Sequence, residues 1–149
     1  MTGETRWGRV ALYVLAGYVA AFQVGKAAIA IPLLRRDLGL DLTAASWILG
    51  AYGTLGAVGG LAAGLIVSRI EPRSSVVAGL CAVALGSGLG AFAPDAGALL
   101  ATRIVEGCGF LAIVIAMPAL LTGATAERDR SFAFAIWGTY MPGGTALIM

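Results

Sequence analysis

The sequence predicts an all-α protein, a polytopic bundle of membrane-spanning helices. Three observations carry this prediction. Apolar residues make up 59% of the chain and charged residues only 12%, mean hydropathy is +0.90, and the apolar residues fall in continuous runs broken by short polar segments. A soluble domain carries about a quarter charged residues on its surface. With half that share, lipid must be the solvent for most of this chain. Continuous runs also exclude a β-barrel, whose strands alternate between lipid-facing and lumen-facing side chains.

A span takes about 20 mostly apolar residues, and five segments qualify, at about 10–34, 44–67, 75–94, 97–121 and 131–149. The breaks between them are short and charged or turn-prone: Arg35-Arg36-Asp37 to Asp41, Ser68-Arg69 to Arg73, Pro94-Asp95, and Glu127 to Arg130. Such connections make consecutive helices antiparallel neighbours. The first apolar run is about twice the length of a signal-peptide core and more spans follow at once, so it is expected to stay as a helix. The last run ends at Met149 with no polar flank, and the expectation is truncation inside the fifth helix.

Lysine and arginine set orientation. An inside N-terminus places Arg6, Arg9, Arg69, Arg73, Arg128 and Arg130 in cytoplasmic segments and only Arg35 and Arg36 outside. Arginine outnumbers lysine nine to one amid abundant alanine and glycine, the bias of a GC-rich bacterial gene. The expected location is therefore the bacterial cytoplasmic membrane, with the N-terminus cytoplasmic.

Several functions are disfavoured. There is no histidine, and no cluster has metal-ligand spacing, so no metal or cofactor is expected. No nucleophile–base constellation points to an enzyme. A net charge of +2 without a basic patch does not fit nucleic acid. Cys81 and Cys108 lie in apolar stretches and are expected to be small buried residues, not a disulfide.

The candidate chemistry lies in four polar residues inside spans: Gln23 and Lys26 in the first, Arg103 and Glu106 in the fourth. A charge at mid-membrane costs about 2.5 to 3.5 kcal/mol on insertion scales. The eleven Leu, Ile, Val and Phe residues of span four contribute roughly −3 to −7 kcal/mol, against about 5 to 7 for two charges. That span depends on its neighbours. At 1.5 Å per residue, Lys26 lies about 12 Å below Leu34 and Glu106 about 12 Å below Ala98. The two therefore share a depth. Each pair has i,i+3 spacing and shares a helix face. The expectation is that Lys26 and Glu106 interact, lining a solute or ion cavity with Gln23 and Arg103. The competing reading is structural: Arg103 neutralises Glu106, and both cations snorkel outward.

Glycines are expected to serve helix packing. Gly56, Gly60 and Gly64 carry GxxxG spacing in span two, and Gly86 and Gly90 repeat it in span three. Pro142-Gly143-Gly144 is expected to kink or loosen span five.

Together these residues resemble the N-terminal part of a major facilitator superfamily transporter. The loop from Gly64 to Arg73 is similar to that family's GxLaDrxGrr signature. Gly64, Arg69 and Arg73 match it, Ser68 replaces the usual aspartate, and Glu71-Pro72 replaces a glycine and an arginine. The family's charge latch is then weakened or supplied by Glu71. Arg103-Ile104-Val105-Glu106-Gly107-Cys108-Gly109 resembles the RxxQGxG stretch of the fourth helix, with Glu106 in place of glutamine. Ile31-Pro32, Arg36-Asp37-Leu38-Gly39-Leu40, Trp47 and Tyr52 look like the end of the family's first helix and the start of its second.

The resemblance implies part of the N-terminal half of a twelve-helix transporter, with helices one and four lining the cavity and belonging to inverted repeats. Its implied partners are the bilayer, a small solute, the remaining helices and, through the extra acid Glu106, protons. The alternative is a small non-transporting or oligomeric membrane protein that acts by helix–helix contact.

Overall fold

A computed structural model describes residues 4–148 of the chain. Six α-helices follow one another: α1 Trp7–Leu38, α2 Leu42–Val67, α3 Pro72–Gly90, α4 Ala96–Ala124, α5 Arg130–Gly138 and α6 Tyr140–Ile148. A single 3-10 turn, Glu127–Asp129, precedes α5. Among the described residues there is no strand, and α1 to α4 are each long and apolar enough to cross a membrane.

Local chemistry sets the helix ends. Gly39, at φ 62°, ends α1 in the left-handed region that glycine enters without steric cost. Pro32 stays inside α1, which continues to Leu38. Asp41 caps α2 by accepting from the Ala44 amide at 2.7 Å, and Asp95 caps α4 by accepting from the Ala98 amide at 2.8 Å. At α3, Glu71 accepts from the Arg73 and Ser74 amides and the Ser74 hydroxyl, with Pro72 beginning the helix. These hydrogen bonds, those from Ser74 foremost, hold the Glu71 carboxyl below its ordinary range.

The fifth hydrophobic segment is two short helices rather than one. Pro142 has no N–H to offer the Gly138 carbonyl one turn earlier, and its ring crowds that position. The chain accordingly breaks at Thr139, whose amide bonds back only as far as the Ile136 carbonyl. The Tyr18 and Thr139 hydroxyls lie 3.0 Å apart across the break.

Helix α4 is the hub. It packs most extensively on α3, then on α2 and α1, while α1 also lies along α6. Ile113, Met117 and Leu121, one turn apart along one face of α4, are fully buried. Helices α3 and α4 approach to backbone contact, since a Cβ on Gly79 would sit 2.7 Å from the Gly109 carbonyl oxygen. Further along, Gly86 meets Glu106 and Thr102, and Gly90 meets Thr102.

The glycines of α2 behave differently. Gly60 and Gly64 have no neighbour within 4 Å among the described residues, and Gly56 has only Leu111, at 3.9 Å. That face of α2 makes no close helix contact within this chain.

One expectation is corrected. Cys81 and Cys108 are free thiols, but both are exposed on the outside of the bundle rather than buried. A lipid-facing surface is as apolar as a helix interface, so an apolar setting does not mark a residue as interior. The rest of that surface agrees. Val58 and Leu61 on α2 are 83% and 82% exposed, and each such side chain is worth about 1.5 to 3 kcal/mol when removed from water.

The start of the chain is tied to the far end of α4. The Arg6 amide donates to the Ala124 carbonyl at 2.9 Å. The Thr5 hydroxyl donates to Asp129 and accepts from the Ala126 amide. Trp7 packs edge-on against Phe132.

Candidate functional site

Glu106 is fully buried near the middle of α4, and four helices supply its surroundings. Arg103, one turn earlier on the same face, donates from Nη2 to Glu106 Oε1 at 2.6 Å. Lys26 of α1 donates to the same oxygen at 3.1 Å and to Ser87 Oγ of α3 at 2.5 Å. Tyr52 of α2 donates its hydroxyl to Glu106 Oε2 at 2.8 Å. Both carboxylate oxygens are thus occupied, by three donors from three helices.

The local sequence explains the convergence. The i,i+3 spacing stacks Arg103 above Glu106. Gly86 lets α3 close onto them, because a Cβ there would lie 2.6 Å from Glu106 Cγ and 2.9 Å from the Thr102 carbonyl oxygen. Gly107 does the same for α2, where a Cβ would meet Leu55.

Exposure divides the cluster. Glu106 is 0% and Arg103 5% exposed, whereas Lys26 is 27% exposed. Lys26 and Arg103 line an open cavity of about 320 Å³ with Leu34, Ile48, Ser87 and Leu99. Glu106 lies behind that wall and is not part of its lining. Two buried polar atoms in this region have no partner, Arg103 Nε and Gln23 Oε1.

The structure therefore brings Lys26, Arg103 and Glu106 together. Gln23 joins through its backbone, its carbonyl accepting from Arg103 Nη1 at 3.2 Å, and not through its amide. The sequence reading passed over Ser87, and it noted Tyr52 only as part of a family pattern. A single hydroxyl in an apolar span costs little and carries no charge signal. The one available clue was depth, since both lie on helices that must pass Glu106.

The signature loop sits far from this cluster. Ser68 closes on its own helix by donating to the Leu65 carbonyl at 3.0 Å, and Glu71 caps α3. Among the described residues neither Arg69 nor Arg73 has an ion-pair partner, so no charge latch is formed within this segment.

A bundle of helices long and apolar enough to cross the membrane, enclosing a hydrogen-bonded polar network beside an open cavity, defines a multi-pass membrane protein with a polar interior site. The chain belongs to the Major Facilitator Superfamily, which it matches over residues 13–149. It is 32% identical to the puromycin resistance protein pur8 of Streptomyces alboniger over 145 residues, covering 95% of this chain and 28% of that protein. It is 28% identical to the multidrug efflux pump LfrA of Mycolicibacterium smegmatis, covering 98% of this chain and 29% of the pump. It is 29% identical to the methyl viologen resistance protein SmvA of Salmonella typhimurium, covering 95% of this chain and 29% of that protein. The chain thus spans less than a third of the length of these relatives. No solved structure matches it at a significant level.

Proposed function

We propose that this chain forms the first helices of a longer secondary transporter that exports small organic solutes by alternating access coupled to protons. Family membership and three efflux or resistance relatives support transport as the activity. The observation that carries the site is Glu106, a carboxylate with no exposed surface, held by Arg103, Lys26 and Tyr52. Among the described residues it is the one acid inside the bundle, and its hydrogen bonds come from α1, α2 and α4, so adding a proton there loosens contacts on those three helices together. Such a residue links proton occupancy to helix arrangement. The N-terminus and the loop carrying Arg69 and Arg73 then face the cytoplasm of a bacterial cell, by the balance of arginines.

The test is transport in everted membrane vesicles from cells expressing the full-length gene product. Puromycin and methyl viologen serve as solutes, since relatives are named for resistance to them. The expected result is uptake into acid-loaded vesicles that an ionophore abolishes. Vesicles carrying abundant folded protein that take up neither solute above the level of empty vesicles, with or without a gradient, would refute the proposal.

A further inference from the structure

We infer that Lys26 is the proton relay of this site, passing protons between the open cavity and the buried carboxyl of Glu106. This deepens the transporter reading and rests on it. Glu106 has no exposed surface and is not part of the cavity lining, so a proton arriving by the cavity passes through a group that touches both. Among the described residues Lys26 and Arg103 do so, each lining the cavity and donating to Glu106 Oε1. An arginine does not release its proton in a protein. A lysine drawn out of bulk water serves as both proton donor and proton acceptor. Lys26 is also the more open of the two, at 27% exposure against 5%.

The geometry suits transfer. Lys26 Nζ lies 3.1 Å from Glu106 Oε1, within the reach of a general acid. Ser87 Oγ, at 2.5 Å, holds the nitrogen there. A hydroxyl both accepts and donates, so Ser87 keeps this bond whether Lys26 is an ammonium or an amine. The N–H bond directed at Oε1 breaks as an O–H bond forms, leaving an amine and a neutral carboxyl. The amine lone pair then takes a proton from a hydronium ion in the cavity, which becomes water. Glu106 has gained one proton, and Lys26 is again an ammonium, no longer paired with a carboxylate.

Other groups face this pair without replacing Lys26. Arg103 of α4 supplies a fixed positive charge, and Tyr52 of α2 donates to Oε2 but is buried away from the cavity lining. Gln23 Oε1 of α1 is a buried acceptor without a partner among the described residues, and its amide carries no titratable proton. Helix α3 presents the uncharged Ser87, and α6 meets α1 beside Lys26 at Gly25, through Thr145 and Ile148. A relay sets no condition on the charge of the solute.

A structural ion pair would have this same geometry, and exchange at position 26 separates the two. Uptake of puromycin or methyl viologen is measured with and without a pH gradient, in everted vesicles carrying matched amounts of folded full-length protein. Lys26→Arg keeps the charge and the donors but not the exchange. It should lower gradient-driven uptake about a hundredfold, the low end of what a positioned proton donor contributes. A structural pair predicts no such loss. Because arginine is larger, Lys26→Cys in a background otherwise free of cysteine provides a second comparison. Aminoethyl methanethiosulfonate rebuilds an exchangeable ammonium there, and the trimethylammonioethyl reagent builds a fixed charge of similar length. The first should restore the response to the gradient and the second should not. Equal responses from the two labelled proteins would overturn the inference, as would a Lys26→Arg protein that follows the gradient like the wild type. Either result, beside a Glu106→Gln protein that ignores the gradient, would overturn this inference alone. A wild-type protein that moves solute without regard to the gradient would overturn the proton-coupled reading and the relay with it.

Discussion

Gly86 offers the sharpest test of how the buried cluster is assembled. A Cβ at this position would lie 2.6 Å from Glu106 Cγ and 2.9 Å from the Thr102 carbonyl oxygen, distances that real Cβ atoms do not adopt. Gly86→Ala must therefore move α3 away from α4 or displace the Glu106 side chain. Overpacking of this kind costs about 1 to 3 kcal/mol. Replacing glycine by alanine in a helix also returns up to about 1 kcal/mol of propensity, which blurs a single measurement. Gly88 removes that ambiguity, because it lies on the same helix with nothing within 4 Å. Gly88→Ala collects the propensity gain alone, so the difference between the two variants isolates packing at about 1 to 3 kcal/mol. The assay is unfolding of the full-length protein in dodecyl maltoside titrated with dodecyl sulfate. Two variants with the same midpoint would show that α3 and α4 do not meet at Glu106 as described.

Three further predictions test separate parts of the molecule. The Glu71 carboxyl is held below its ordinary range by the Ser74 and Arg73 donors, so its capping contribution is complete above the unfolded value near 4.5 and fades as pH falls through the folded value. Hydrogen exchange at the Arg73 and Ser74 amides, corrected for intrinsic rate, should accelerate in acid, and Glu71→Gln should remove that pH dependence. Pro142→Ala supplies the missing donor to Gly138 and removes about 3 kcal/mol of helix penalty. Exchange across residues 139–143 should slow by up to about a hundredfold, and unchanged exchange would mean something other than proline breaks the helix. Thr5→Ala deletes two hydrogen bonds to Asp129 and Ala126, worth about 1 to 3 kcal/mol together. The Ala126 amide should lose protection accordingly; if it keeps its protection, Thr5 does not tie α1 to the end of α4.

The helical membrane fold was legible because apolar length is a strong signal, one that caps and loops then trim by a few residues. Helix α1 starts at Trp7 and ends at Leu38, beyond the apolar run at both ends, because amphipathic residues such as Trp7 and Arg35 continue a helix into the headgroup region. The segment from residue 131 onward is equally apolar, yet it breaks at Thr139 under Pro142, so hydropathy alone overcounts continuous helices.

Orientation around a helix axis was far less legible. GxxxG spacing occurs in both α2 and α3, but among the described residues only the α3 glycines abut a neighbouring helix tightly, while of the α2 trio Gly56 alone reaches one, Leu111 at 3.9 Å. Lipid and protein neighbours select the same apolar residues, and the exposed Cys81 and Cys108 follow from that same ambiguity. Charges escape it, since a charge facing lipid is costly, and this is why depth and i,i+3 spacing set Lys26, Arg103 and Glu106 at one level. Depth could not distinguish the Gln23 amide from the Gln23 carbonyl, nor could it show the Tyr52 hydroxyl closing on Glu106.

The most direct measurement of the central claim is the response of solute uptake to an imposed pH gradient in wild-type and Glu106→Gln vesicles. Both must carry matched amounts of folded full-length protein, confirmed by the detergent unfolding assay. Glutamine keeps the shape of the side chain and a hydrogen-bonding oxygen but cannot exchange a proton at neutral pH. If Glu106 couples protons to transport, wild-type uptake rises with the gradient and the variant's uptake ignores it. Uptake by the variant that follows the gradient as steeply as the wild type would contradict the account and leave the buried cluster a structural tie between helices.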